Sequence, residues 1–66
     1  MTRLREMRQS KDLMVIELAF ATRIHPSQLS AIERRKLAAS TRVKEALCSF
    51  FCVSEKEAFD EDGLAV

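Results

Sequence analysis

A chain of 66 residues has room for one domain, and a domain this short buries only roughly 60% of its unfolded surface, so it needs a compact helical core, a staple or a partner subunit. One glycine and one proline exclude a turn-rich β-sandwich or barrel and any glycine-rich phosphate loop, while 47% hydrophobic and 32% charged residues argue against disorder. The net charge of +1 conceals a split: residues 1–44 carry ten Lys/Arg against four acids (+6), and residues 45–66 carry one Lys against six acids (−5). A basic body with an acidic end is a pattern associated with nucleic-acid contact, although two solvated ends would give the same count.

A first helix is predicted over residues 2–10, with Thr2 as its N-cap, Leu4 and Met7 inward and Arg3, Arg5 and Arg8 outward. After a break at Lys11 and Asp12, a second is predicted over 13–21, anchored by Leu18 with Met14 or Ala21 beside it. Thr22, Arg23, Ile24 and His25 interrupt the pattern before Pro26, which fits the first position of a helix because its missing N–H costs nothing there. A third helix follows over 26–34, with Leu29 and Ile32 inward and Ser27, Gln28, Ser30, Ala31 and Arg34 outside or at the edge. Ser40 or Thr41 caps a fourth that runs to Phe51, burying Val43, Leu47, Cys48 and Phe51, and Val53 is expected to be a buried connector. Ser54 and Glu57 form a capping box for a short fifth helix ending near Phe59. The expected domain is 1–60, with 61–66 an acidic, flexible C-terminal tail.

No apolar run approaches the roughly 18–20 residues of a membrane span, and the N-terminal stretch lacks the apolar segment of a secretory signal. The expected location is therefore cytoplasmic, with Cys48 and Cys52 reduced. Two cysteines and one histidine are too few for a zinc site, so neither metal nor cofactor is expected, and a buried Cys48 behaving as a small hydrophobe outweighs a redox pair. Asp60, Glu61 and Asp62 lack the spaced ligands of a calcium loop. No catalytic arrangement is evident, so the chain is not expected to be an enzyme.

Two short helices joined by a four-residue turn make a helix-turn-helix candidate, whose second member enters the major groove. The residue string sharpens this. Leu4-Arg5 with Arg8, Glu17-Leu18-Ala19, Leu29-Ser30 with Ile32-Glu33-Arg34 and Lys36, and Val53-Ser54 before Phe59 resemble, without a gap, the Cro and phage-repressor type of helix-turn-helix, the XRE family. The resemblance covers about residues 4–59 and implies an all-α, lambda-repressor-like fold of five short helices. It implies a sequence-specific transcriptional regulator, expected to be a repressor, that binds a palindromic double-stranded DNA operator as a homodimer. By position, base contacts fall on Pro26, Ser27, Gln28 and Ala31 with Ser30 nearby, and phosphate contacts on Arg34 and Lys36. Arg23 and Arg35 are further phosphate candidates, and Arg8 is implied to pair with Glu33 as a structural ion pair.

Several positions depart from that family. Arg23, Arg35 and Cys52 stand where it usually has glycine, which implies altered turns or stored strain of order 1 kcal/mol each. Val15 replaces a glutamine that anchors to the DNA backbone. Ile16 and Phe20, one helical turn apart, and Phe50 are apolar where the family is polar or small, and they are candidates for a dimer or partner interface. His25 takes the cap position before Pro26, as a turn residue or a phosphate contact. The competing functional reading is a protein-interaction module on the same fold, an antitoxin-like or antirepressor-like binder that uses the apolar second helix.

Overall fold

In a computed structural model describing every residue, Met1–Val66, the chain forms five helices. They are α1 (Arg3–Ser10), α2 (Val15–Thr22), α3 (Pro26–Glu33), α4 (Thr41–Phe51) and α5 (Glu55–Ala58). The all-α, five-helix architecture read from the sequence is the observed one; the only extended pairing is an isolated antiparallel bridge between Phe59 and Ala65.

The N-termini follow from local chemistry. Thr2 Oγ1 accepts the Arg5 N–H at 3.3 Å, and Ser40 Oγ accepts the Val43 N–H at 3.4 Å. At the start of α2, which begins later than its periodicity suggests, the Glu17 carboxylate accepts the Met14 N–H at 2.8 Å. At α5 the Glu57 carboxylate accepts the Ser54 N–H at 3.3 Å, the reciprocal half of the capping box.

The C-termini of α1 to α4 share one device, whereas α5 ends in the extended Phe59. Leu13 N–H donates to Arg8 C=O, Ile24 to Ala19, Lys36 to Ala31 and Val53 to Cys48, each closing a Schellman turn. That turn requires a left-handed residue, and it is supplied by Asp12 (φ 56°), Arg23 (φ 58°), Arg35 (φ 59°) and Cys52 (φ 57°), none of them glycine. The glycine departures therefore leave the turns intact and store strain in them, and Asp12 adds a fourth site that the sequence did not reveal.

The core is one cluster, with Leu4, Leu18, Leu29, Ile32, Val43 and Leu47 its largest fully buried side chains. Beside Leu18 stand Ala19 and Thr22, whereas Met14 and Ala21 are exposed. Met14 lies outside the helix as its N-cap, and α2 turns Ala19 and Thr22, rather than Ala21, toward the core. Arg8 is not on the outer face of α1: it is 8% exposed and bonded to Glu33. Val53 is half-buried against the core.

The flexible tail expected at 61–66 is instead a folded turn. Asp60 Oδ1 accepts the Asp62 and Leu64 N–H groups at 2.9 and 3.0 Å, Asp60 N–H donates to Leu64 C=O, and Val66 N–H donates to Ala58 C=O. Ala65 is fully buried. Gly63 takes φ 81° and its carbonyl accepts the Ala39 N–H at 2.8 Å; a Cβ there would stand 3.2 Å from Ala39 O. The acidic composition of the segment concealed these backbone bonds.

Candidate nucleic-acid interface

α2 and α3 are joined by Arg23, Ile24 and His25. Ile24 is buried and α2 ends in its Schellman turn, so the chain reverses tightly and α3 packs on α2 through Leu29, with Ile32 one turn on. His25 caps α3: its Nδ1 accepts the Ser27 N–H at 3.2 Å and lies 2.8 Å from Ser27 Oγ. Pro26 occupies the first helical position.

With Leu29 and Ile32 consumed by the core, the remaining face of α3 is open. Ser27 is exposed, and Gln28, Ser30 and Ala31 are half-exposed. Pro26 is half-buried and lines a shallow apolar hollow with Ile16, Phe20, Ile24 and Arg23. These small or polar side chains permit close approach of the helix to another surface.

The cations around α3 divide into engaged and free groups. Arg8 Nε donates to Glu33 Oε2 at 2.8 Å and its Nη1 to Leu13 C=O at 2.6 Å, while Thr2 Oγ1 donates to Glu33 C=O at 2.6 Å. Glu33 thus ties α1 to the end of α3, and the ion pair is buried and structural. Arg35 Nη2 lies 3.1 Å from Asp60 Oδ2 and Nη1 donates to Ala65 C=O at 2.9 Å, so this arginine braces the C-terminal turn. Arg34 bonds only its own helix, Nε to Ser30 C=O at 3.2 Å, and neither it nor Arg5, Arg23 or Lys36 pairs with a carboxylate. Arg5 was not among the phosphate candidates read from the sequence. Its proximity to Arg34 depends on how α1 crosses α3, which periodicity does not encode.

A family profile described as a helix-turn-helix domain matches residues 2–59. The chain belongs to the helix-turn-helix domain family. The match spans all five helices and stops at Phe59, before most of the C-terminal turn. The match includes α2 and α3, two short helices joined by a tight turn, and a DNA-binding role follows from that membership. No curated protein and no solved structure matches the chain.

Of the other sequence-derived candidates, Ile16 and Phe20 border the start of α3 through the hollow they share with Pro26, and Phe50 sits apart from it. Phe20 is 86% and Ile16 60% exposed on α2, with Met14 also exposed. Phe50 is half-buried, edge-on to Phe51 at 5.0 Å, and lines a different hollow with Ala21, Thr22 and Ala46. Cys48 is buried, and burial, with Glu55 and Glu57 adding to it, pushes its thiol pKa up; Cys52 is exposed, and the two are not bonded. No group of three or more potential ligands is arranged to hold a metal ion, and no helix is long and apolar enough to cross a membrane.

Proposed function

We propose that this helix-turn-helix domain is a sequence-specific transcriptional regulator of the Cro and phage-repressor type, acting as a repressor in the cytoplasm. It places α3 in the major groove. The observation that carries the reading is the division of labour on α3: Leu29 and Ile32 are fully buried, while Ser27, Gln28, Ser30 and Ala31 form an open face flanked by unpaired cations. Gln28 can bond adenine bidentately, Ser27 can bond a base edge, and Pro26 and Ala31 offer apolar contact to a thymine methyl. Arg23, Arg34 and Lys36 neutralise phosphates. Arg35 remains a phosphate candidate through the exposed half of its side chain, with its primary bonds to the C-terminal turn. A single module of this size makes few base contacts, so a homodimer on a palindromic operator supplies the affinity.

Selection of bound duplexes from a random pool at two salt concentrations tests the reading. A palindromic enrichment that weakens with salt is expected, and Gln28→Ala should change the preferred base at one position per half-site. Salt-independent binding or no enriched sequence overturns it. The second reading, a protein-interaction module, is favoured by Phe20 and Ile16, whose exposure is unusual for side chains of that size. It would show as partner binding abolished by Phe20→Ser, with duplex binding absent from the outset.

A further inference from the structure

The open cations are not spread evenly. Two shallow hollows flank the end of α3, and Arg5 and Arg34 line both. The first is floored by Val15, Ser30 and the Arg8–Glu33 pair; the second extends toward Thr2. Within this region Arg8 is neutralised by Glu33 and Arg35 by Asp60, which leaves two uncompensated guanidiniums on separate helices beside one depression. The Glu33 carboxylate that borders both hollows is taken up by Arg8, so Arg5 and Arg34 have no acidic partner of their own, and an anion seated between them offsets their mutual repulsion.

The framework around them is rigid. Arg5 lies one turn after Thr2 and one turn before Arg8, and both neighbours are bonded to Glu33, the residue immediately before Arg34. The two guanidiniums are thus carried on segments cross-tied at 2.6 and 2.8 Å, so the backbone beneath them is already ordered when an anion arrives and only the side chains remain to be fixed. Guanidinium groups match phosphate oxygens with paired N–H donors.

We propose that Arg5 and Arg34 together clamp a single phosphodiester of the DNA backbone, making α1 part of the DNA-binding surface. This rests on the DNA-binding reading. The site fixes how far α3 sits from the backbone and carries no base preference.

The test is a set of salt titrations of the full chain on the duplex enriched by selection, with wild type, Arg5→Gln, Arg34→Gln and the double variant, each checked for native helicity by circular dichroism. Arg3→Gln, which alters an exposed α1 arginine outside both hollows, is the control. The expected result is an about tenfold loss for Arg5→Gln on every duplex, with the enriched sequence unchanged. The log–log salt slope of the double variant should fall by about 0.9, one phosphate's worth, rather than about twice that, with Arg3→Gln near wild type. An Arg5→Gln protein with wild-type affinity and slope, or a double variant whose slope falls by two phosphates' worth, overturns the shared clamp while leaving the DNA-binding reading standing. A wild-type chain with no salt-dependent duplex binding overturns both.

Discussion

At the scale of single residues, strain and buried charge set the energetics. Cys52 holds φ 57° at the end of α4, where glycine would carry no Cβ penalty. Cys52→Gly is therefore expected to stabilise the domain by about 1 kcal/mol, raising Tm by roughly 4–8 °C in a thermal melt. Arg8 and Glu33 form a buried pair at 2.8 Å, so Arg8→Ala strands a carboxylate that is 3% exposed. A loss of about 3–5 kcal/mol is expected in chemical denaturation, and Arg8→Met combined with Glu33→Leu should recover most of it, because replacing both members removes the desolvation cost as well as the attraction. Asp60 is held below the usual carboxylate range, chiefly by the Leu64 N–H, with the Asp62 N–H and the Arg35 guanidinium adding. Its unfolded value is near 3.9, so its contribution to stability is complete above that pH and is lost as pH falls through the lower folded value. Acid titration of Asp60→Asn should show a shallower loss of stability below about pH 4 than wild type does.

At the scale of elements, each helix is short enough that its ends matter as much as its middle. α2 and α3 have eight residues each, below the length at which an isolated helix is stable in water. They persist because Leu18, Leu29 and Ile32 are fully buried against one another and against α4. Removing one such side chain, as in Ile32→Ala, costs about 2–5 kcal/mol. That approaches the whole stability expected of a chain of this length, about 3–10 kcal/mol. The variant should accordingly melt roughly 8–40 °C below wild type by circular dichroism. The burial of Leu4, Leu18, Leu29, Ile32, Val43 and Leu47 was legible from spacing alone. The exposure of Ala21 was not, because packing selects Ala19 and Thr22 beside Leu18, and that of Met14 was not, because it depends on where α2 begins. A side-chain bond from Met14 N–H to Glu17 fixes that start, and no hydrophobic pattern records it.

At the scale of the whole molecule, the domain measures 27 × 21 × 20 Å. Half-sites one helical turn apart are separated by roughly 34–36 Å, more than the longest extent of the domain, so two protomers on adjacent half-sites would touch only through side chains that protrude from their facing edges. Phe20 and Ile16 are, with Met14 at its N-cap, the most exposed large apolar side chains of α2, and a protomer contact through them would make pairing on DNA cooperative. Fluorescence anisotropy should then show a two-half-site duplex bound with positive cooperativity that Phe20→Ser removes, with single-half-site affinity unchanged. Equal cooperativity in wild type and Phe20→Ser would remove α2 from the protomer contact.

Composition and periodicity determined that this chain is all-helical with five helices, which large side chains of α1, α3 and α4 enter the core, and which face of α3 is left open, because those follow from turn chemistry and from apolar spacing within one helix; the small core residues Ala19, Ala39, Ala58 and Ala65 were not legible. The Leu-Arg and Glu-Leu-Ala motifs and the string around Ile32 pointed to the helix-turn-helix, and the Arg8–Glu33 pair came with them. Only the tertiary structure decided which cations are free. Arg35 and Arg34 are neighbours in sequence, yet one is bonded to Asp60 and Ala65 and the other is open beside Arg5. It also decided that residues 61–66 are folded, since their order rests on backbone bonds to Ala39 and Ala58. Partners distant along the chain set these outcomes, and a charge or a carbonyl brought close by the fold leaves no mark in local sequence.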